Sequence, residues 1–222
     1  MFSNDSLEVL HKKLWKHLEN QSKNWHSFVY AKEKGFYQGF DEIKIDGWRP
    51  SEKRLERYNI EKYITKTKSV LDIGCNCGFF TMVVSKYVKD IDGVEINPYM
   101  IAIADDTKEF LKIQNASFLT SSFEKYQTDK KYDVIFSLAN DETIDGNTKF
   151  TFKEYMEKIN QLLTHDGIII FETVSPDTYQ PKLFQPKLEF IKKYFHILKD
   201  EMVISEYPVN VPERRFLVLS KQ

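Results

Sequence analysis

From residue 68 to the C-terminus, short apolar runs alternate with longer segments of helical periodicity. The runs "KSVLDIG", "DIDGVEIN", "ASFLT", "YDVIFSLA" and "IIIFETV" are predicted strands, and helices are predicted between most of them. Strands that alternate with helices are typical of βαβ units, so the pattern predicts an α/β fold with a mainly parallel sheet. Two further strand-like runs, "HILKDEMVISEY" and "RRFLVLSK", flank the turn-like "PVNVPE" and predict a terminal antiparallel hairpin.

The segment before residue 67 follows a different pattern. Leucines at helical spacing predict an amphipathic helix over roughly residues 5–20. An aromatic, polar stretch, "WHSFVYAKEKGFYQGFDEIKIDGW", predicts irregular structure with one short strand, and "SEKRLERYNIEKYI" predicts a charged helix after it. We therefore divide the chain into an N-terminal helical segment, residues 1–66, and an α/β domain, residues 67–222.

Composition narrows the class of protein. Of the 222 residues, 41% are hydrophobic, which is enough for a single large core. The net charge of -1 gives no electrostatic reason to expect a nucleic-acid or membrane partner. No apolar run approaches the length of about 18 residues that a membrane span needs, and the first residues lack a basic region followed by an apolar one. We therefore expect a soluble, cytoplasmic protein.

The loop after the first core strand, "DIGCNCG", has the spacing Asp72-x-Gly74-x-Asn76-x-Gly78. Open α/β sheets bind ligands beyond the carboxyl ends of their strands, where this loop lies. Glycine lets the backbone turn sharply and lets a ligand approach closely, and Asn is among the few other residues that tolerate a left-handed backbone. The loop is therefore a predicted ligand-binding turn.

The same loop holds both cysteines of the chain, Cys75 and Cys77. Zinc requires four ligands, and the five histidines are scattered, with none near the loop. A redox pair is normally C-x-x-C, whereas this spacing is C-x-C. We therefore predict no metal, and we interpret the cysteines as small residues that fill a tight turn.

Glu95 ends the second core strand, 17 residues after Gly78. An acidic residue at that position is placed to accept both ribose hydroxyls of an adenosine. A dinucleotide-binding enzyme also has such a residue, but its G-x-G-x-x-G fingerprint is absent from the loop. The loop and Glu95 together favour an adenosine-containing ligand.

The motifs "VLDIGCNCGFF", "GVEINPYMIAIA", "FLTSSFEKY", "YDVIFSLAND" and "LLTHDGIIIFE", within residues 68–174, resemble class I S-adenosylmethionine-dependent methyltransferases. The resemblance implies a Rossmann-like three-layer sandwich with a seven-stranded sheet and an N-terminal lid. It implies S-adenosylmethionine as cofactor and S-adenosylhomocysteine as product. Ser121 or Ser122 stands where the family often has the Asp that faces the adenine. The implied cofactor-binding residues are Asp72, Gly74, Cys75, Asn76, Gly78, Glu95, Ile96, Ser122, Phe123 and Leu138.

Two carboxylates follow neighbouring core strands and are candidates for the catalytic base. Asp141 ends the fourth strand and Glu172 ends the fifth, so both lie where strand ends converge. A hydroxyl acceptor needs its proton removed, whereas an amine need only arrive neutral. The alternatives are a capping or solvated loop role for Asp141 and a structural role at the sheet rim for Glu172. His26 is a further candidate base.

Arginine is rare in this chain, and its five copies fall in two tight groups. Arg is the better fork for carboxylates and phosphates, although surface salt bridges explain such groups equally well. Arg214 and Arg215 are neighbours on a strand, so at most one faces the site. The predicted substrate-binding residues are Trp48, Arg49, Asn140 and Arg214.

The sequence thus predicts an O-methyltransferase for a small-molecule acceptor. The arginine groups, and a loose resemblance of "DGWRPSEKRLERY" and "FETVSP" to bacterial enzymes that modify surface polysaccharides, favour a sugar or nucleotide-linked sugar. Modification of tRNA or of another small molecule at nitrogen is an alternative, against which the net charge of -1 argues. A non-catalytic partner subunit is another, against which the intact Asp72, Gly74, Gly78 and Glu95 argue.

Overall fold

The computed structural model describes residues 4–27, 29, 35–142, 148–174, 177, 180–205 and 213–222. The helices are α1 (Asn4–Asn24), α2 (Ser51–Tyr58), α3 (Phe79–Ser85), α4 (Pro98–Leu111), α5 (Phe152–Leu162) and α6 (Pro181–Tyr194). The strands are β1 (Phe36–Gly39), β2 (Gly47–Pro50), β3 (Ser69–Ile73), β4 (Asp90–Glu95), β5 (Ala116–Thr120), β6 (Tyr132–Leu138), β7 (Leu163–Glu172), β8 (Phe195–Ile204) and β9 (Glu213–Lys221). Among these residues, no helix combines the length and apolarity needed to cross a bilayer.

The main sheet has seven strands in the order β5-β4-β3-β6-β7-β9-β8. The five strands from β3 to β7 pair in parallel, and β9 pairs antiparallel with both β7 and β8. This arrangement confirms the predicted parallel sheet and the terminal antiparallel strands. Most of the predicted turn "PVNVPE" lies outside the described residues.

The two faces of the sheet carry separate buried clusters, because successive strand residues point to opposite faces. Val70 of β3 belongs to the cluster with α1 and α3, whereas Leu71 and Ile73 belong to the cluster with α5 and α6. Helices therefore cover both faces, which confirms the three-layer sandwich.

The N-terminal segment packs into the first of these clusters. The leucines of α1 that the sequence placed at helical spacing are all buried: Leu7, Leu10, Leu14 and Leu18. At the surface of the same contact, Lys13 and His17 both bind Asp106 of α4. Residues on either side of position 67 thus contribute to one buried cluster.

Residues 35–68, which precede β3, contain more regular structure than their sequence indicates. They contain two short strands rather than one, since β1 and β2 pair in parallel. The charged helix is also shorter than predicted: α2 ends at Tyr58, because Asn59 is left-handed (φ 51°) and a 3-10 turn follows at Ile60–Lys62. One side chain of each short strand contacts the carboxyl edge of the main sheet: Gln38 of β1 binds Cys75, and Arg49 of β2 binds Glu172.

Candidate active site

The loop after β3 has the backbone that its sequence predicts. Gly74, Asn76 and Gly78 have φ angles of 68°, 54° and 71°, which are all left-handed. A Cβ at Gly74 would collide with the amide of Asn140, whose Nδ2 donates to the carbonyl of Ile73 (2.5 Å). Glycine is therefore required at position 74 by the close approach of the loop that follows β6.

Glu95 connects this loop to the end of β4. Its Oε2 accepts a hydrogen bond from the backbone N–H of Asn76 (3.1 Å), and its Oε1 accepts from that of Asn97 (2.9 Å). These two hydrogen bonds fix the carboxylate between the loop after β3 and the start of α4. Beside it, the Asn76 Oδ1 and the Asn97 Nδ2 are buried and have no hydrogen-bond partner within the described part of the chain. Glu95 thus lies beside the loop at the carboxyl end of β4, the position at which the sequence predicts a ribose-binding carboxylate.

A strip of partly exposed residues runs along the carboxyl edge on either side of Glu95. Its members come from the loops after β3, β4, β5 and β6: Gly74, Ile96, Ser121, Ser122 and Asn140. Four of the five belong to the predicted cofactor or substrate residues, and Ser121 was named as an alternative to Ser122. The strip lies along the edge of the sheet at which we expect an extended ligand such as S-adenosylmethionine to bind.

Three predicted cofactor residues lie beneath this strip instead of on it. Phe123 is fully buried, with its ring 5.1 Å from that of Tyr155, so its side chain belongs to the core. Leu138 is also buried. Asp72 accepts a hydrogen bond from the Thr81 hydroxyl (2.6 Å), and burial raises its pKa to about 6. Their side chains shape the site from below.

The two cysteines are buried thiols. Burial raises the pKa of Cys77 to about 12 and holds that of Cys75 well above its usual value, so both thiols stay protonated at neutral pH. The Cys75 sulfur packs where a Cβ on Gly93 would lie, within the turn. Across the described ranges, no group of three or more His, Cys, Asp or Glu side chains is arranged to hold a metal. The sulfurs fill space and are not nucleophiles.

Gln38 of β1 is a functional residue that sequence reasoning missed. It is 4% exposed, and its Oε1 accepts hydrogen bonds from the backbone N–H groups of Phe79 (3.0 Å) and Phe80 (3.3 Å). Its Nε2 donates to the carbonyl of Cys75 (3.2 Å). One side chain therefore caps α3 and holds the ligand loop from outside the main sheet. No local motif around "FYQG" indicates this contact, because its partners lie about forty positions away.

The same contacts separate this site from a dinucleotide site. In dinucleotide-binding folds, the pyrophosphate binds the free N–H groups at the N-terminus of the first helix. Here the Gln38 side chain takes two of those N–H groups. The structure therefore agrees with the absence of the G-x-G-x-x-G fingerprint, because the N–H groups that would bind a pyrophosphate are occupied by Gln38.

Replacing Gln38 with Leu should weaken cofactor binding several-fold and lower the free energy of unfolding by about 1–3 kcal/mol. The leucine has a similar volume but leaves buried N–H and C=O groups without partners. Calorimetric titration with S-adenosylmethionine and urea unfolding measure the two effects. The control is Gln161→Leu on the exposed face of α5, which should change stability by no more than about 0.5 kcal/mol. Equal effects of the two substitutions would contradict the role of Gln38.

Glu172 lies at the centre of a buried network that we call the arginine network: Arg49, Arg54, Tyr58, Glu172 and Arg214. Glu172 Oε1 is 2.9 Å from Arg49 Nη2 and 3.2 Å from Arg214 Nε. Glu172 Oε2 accepts from Arg54 Nη2 (2.7 Å) and from the Tyr58 hydroxyl (2.6 Å). Burial acts to raise the pKa of Glu172, but the three guanidinium groups outweigh it and hold that pKa well below its usual range. The carboxylate is ionised and surrounded, which favours positioning of the arginines over proton transfer.

The arginine pair on β9 divides between the two faces of the sheet, as strand alternation predicts. Arg214 is buried in the arginine network and also donates to the carbonyl of Thr173 (2.9 Å). Arg215 points to the opposite face and forms a two-bond pair with Asp200. Trp48, next to Arg49 on β2, is half-buried.

Asp141 is buried and paired with a lysine from α6. Its Oδ2 accepts from Lys187 Nζ (2.6 Å), which also contacts Asp177 (2.7 Å) and Glu142 (3.0 Å). The Asp141 Oδ1 is buried and has no hydrogen-bond partner within the described ranges. Burial raises the pKa of Asp141 to about 6, against the opposing effect of Lys187. Asn140 precedes it, so the carboxylate adjoins the residue that touches Gly74.

His26, the other candidate base, lies exposed just after α1.

The comparison with protein families matches residues 64–207 to a family model described as a methyltransferase domain. Among curated proteins, the malonyl-[acyl-carrier protein] O-methyltransferase 2 of Ilyobacter polytropus is 30% identical over 136 residues, which is 58% of this chain and 50% of that protein. The chain spans about half the length of the curated relatives it matches first.

Solved structures show the same fold. A class I S-adenosylmethionine-dependent methyltransferase from Listeria monocytogenes superposes with a TM-score of 0.64 at 18% identity, covering 98% of this chain and 69% of that one. The N-methyltransferase NodS of Bradyrhizobium japonicum, in complex with S-adenosylhomocysteine, gives a TM-score of 0.62 at 11% identity, covering 94% and 98% of the two chains. With a family model that matches more than half of the chain and with the matching fold, the chain belongs to the class I S-adenosylmethionine-dependent methyltransferases, and S-adenosylmethionine is its cofactor.

Proposed function

We propose that this protein transfers a methyl group to an oxygen of a small-molecule acceptor, with a sugar or nucleotide-linked sugar of surface-polysaccharide biosynthesis as the acceptor class. The observation that carries the proposal is the buried Asp141 carboxylate, whose Oδ1 has no hydrogen-bond partner among the described residues and which adjoins the loop after β3 through Asn140. A hydroxyl acceptor needs a proton acceptor at this place, and an amine that arrives neutral does not.

The residues at the carboxyl edge of the sheet divide the tasks of this reaction between them. Bound S-adenosylmethionine supplies an electrophilic methyl group on its sulfonium. Glu95 accepts the ribose hydroxyls, and the left-handed turn at Gly74 lets the methionine part approach the backbone. Asp141 takes the acceptor proton at Oδ1 while Lys187 fixes its Oδ2 (2.6 Å). Alignment of acceptor and methyl group at near-attack distance then supplies much of the rate enhancement.

The variant Asp141→Asn should lower turnover by about a hundredfold or more while the affinity for S-adenosylmethionine stays nearly unchanged. The amide has the same shape but accepts no proton, which removes general base catalysis. The pKa of about 6 also predicts that wild-type kcat falls as the pH drops below about 6, where Asp141 becomes protonated. This acidic limb should be absent from the residual activity of the variant.

The matched control is Glu142→Gln, because Glu142 is the exposed neighbour that contacts the same lysine. Its turnover should stay within about twofold of the wild type, as is usual for an exposed carboxylate outside the reaction. Release of S-adenosylhomocysteine measures turnover, and calorimetry measures cofactor affinity. Unchanged turnover in Asp141→Asn would remove Asp141 from the mechanism.

A second candidate is methylation of a carboxylate, which the malonyl-[acyl-carrier protein] O-methyltransferase relatives favour. A carboxylate acceptor is already ionised, so it makes no use of a base. A screen for S-adenosylhomocysteine release with nucleotide-linked sugars, free sugars, malonyl thioesters and tRNA separates the classes. Turnover with the malonyl thioester alone, unaffected by Asp141→Asn, would replace the sugar proposal. Turnover with tRNA alone would also contradict it.

A further inference from the structure

We propose that Lys158 of α5 is a positioning residue for the adenine of the cofactor. Its ammonium holds the turn that follows β5, residues 121–126, which we call the β5 turn. This turn carries Ser121 and Ser122, two partly exposed residues of the strip, where we expect the adenine to lie. The proposal concerns the cofactor and not the acceptor, so failure of the acceptor screen would contradict O-methylation and leave this proposal intact.

The hydrogen bonds of Lys158 are the first argument. Its ammonium donates to three backbone carbonyls of the β5 turn, those of Phe123 (2.6 Å), Glu124 (3.0 Å) and Tyr126 (2.6 Å). An ammonium has three N–H donors, so each of them has an acceptor in this turn. One side chain of α5 thus fixes the backbone of the β5 turn at three places.

The charge of Lys158 is the second argument. The side chain is half-buried, and burial lowers its pKa while Glu124 acts to raise it. Carbonyl oxygens that converge on one point repel each other, and a cation between them converts this repulsion into attraction. The backbone conformation of the β5 turn therefore depends on the ammonium, and we expect the turn to relax when the ammonium is removed.

The position of the β5 turn relative to Glu95 is the third argument. The backbone N–H of Ser121 donates to the carbonyl of Glu95 (2.9 Å), which joins the start of the turn to the end of β4. Further along the turn, the Phe123 ring lies 5.1 Å from the ring of Tyr155 on α5. Ser122 lies between these two contacts. A relaxed turn therefore moves Ser122 relative to Glu95, the carboxylate that we expect to bind the ribose of the same nucleoside.

Two analogues of the cofactor separate recognition of the adenine from recognition of the rest of the molecule. They are S-adenosylhomocysteine and S-inosylhomocysteine, in which a carbonyl replaces the adenine amine. We expect wild type to bind S-adenosylhomocysteine about tenfold or more tightly, because exchange of a donor for an acceptor removes a hydrogen bond to the turn. Calorimetric titration of each analogue measures the two affinities, and their ratio is the adenine preference.

Two substitutions of Lys158 should lower the adenine preference to different degrees. Lys158→Met has a similar length but neither charge nor donors, so it should weaken S-adenosylhomocysteine binding about tenfold and reduce the preference to about threefold or less. Lys158→Arg keeps the charge, but its planar fork does not match three convergent carbonyls, so its preference should be intermediate. This variant carries the test if Lys158→Met does not fold. Amide hydrogen exchange within residues 121–126 should be faster in both variants.

The control is Lys131→Met. Lys131 is an exposed lysine that also donates to a backbone carbonyl, that of Gln161 on α5 (2.6 Å), which lies outside the β5 turn. This variant should leave both affinities unchanged. The proposal is overturned if wild type binds the two analogues equally, if the Lys158 variants keep the wild-type preference, or if the control loses as much. Equal weakening of both analogues in Lys158→Met also overturns it, because Lys158 then stabilises the fold without positioning the adenine.

Discussion

Replacing Glu172 with Gln is expected to lower the free energy of unfolding by about 3–5 kcal/mol. Glu172 is 0% exposed and compensates the buried guanidinium groups of Arg49, Arg54 and Arg214. Removal of one partner from a buried ion pair leaves the other charges uncompensated, which costs far more than loss of a surface pair. Urea unfolding at neutral pH, with circular dichroism as the signal, measures the change.

The pH dependence gives this prediction an internal check. Because the pKa of folded Glu172 is held well below its usual range, its contribution is fully present above the unfolded pKa of about 4.3. That contribution is lost as the pH falls below this value toward the folded pKa. The difference in stability between wild type and Glu172→Gln should therefore narrow from about pH 4 downward.

A matched exposed carboxylate provides the control for Glu172. Glu201 on β8 pairs with Lys199 at 2.6 Å, but its side chain is 42% exposed. Surface pairs of this kind contribute about 0–1 kcal/mol, so Glu201→Gln should cost no more than that. If Glu172→Gln costs as little as Glu201→Gln, the arginine network does not depend on its central carboxylate.

Replacing Glu95 with Ala is expected to weaken S-adenosylmethionine binding by at least about tenfold. Two effects combine, because we propose that the carboxylate accepts the ribose hydroxyls, and it also accepts hydrogen bonds from the backbone N–H groups of Asn76 and Asn97. A hydrogen bond to a charged group contributes about 1.5–3 kcal/mol, and 1.4 kcal/mol corresponds to tenfold in affinity. Calorimetric titration with S-adenosylmethionine measures the loss.

The control for Glu95 comes from α4, which follows it directly. Glu109 is an exposed carboxylate on that helix, and Glu109→Gln should leave cofactor affinity unchanged. Circular dichroism of the folded Glu95→Ala protein separates loss of binding from loss of structure. Full affinity in folded Glu95→Ala would place the ribose elsewhere on the carboxyl edge.

The backbone geometry of the loop after β3 could be predicted because its signals are local. The left-handed turns at Gly74 and Gly78 and the strand-end position of Glu95 follow from residues a few positions away. The alternation of strands and helices is also a local signal, and for this reason it predicted the parallel sheet correctly. The predicted ends of helices were less accurate, because a single residue can end a helix. The left-handed backbone of Asn59 ends α2 earlier than the sequence pattern predicts.

The contacts of Glu172 and Asp141 could not be predicted because they join distant parts of the chain. Glu172 looked like a strand-end base, and it meets Arg49, Arg54 and Tyr58 across 123, 118 and 114 positions. Asp141 meets Lys187 across 46 positions. Sequence spacing carries no record of such pairs, whereas their burial decides whether a carboxylate is a base or a counterion.

The sequence by itself therefore determined the fold class and the cofactor, since both depend on periodicity and on a short loop whose geometry its own residues impose. Only the tertiary structure decided the environment of each carboxylate and the role of Gln38. The physical reason is that the pKa and the hydrogen bonds of a buried polar group depend on which charges lie within a few ångströms of it. In this chain those neighbours come from β1, β2 and α2, which precede the main sheet in sequence, and from α6 and β9 near the end of the chain.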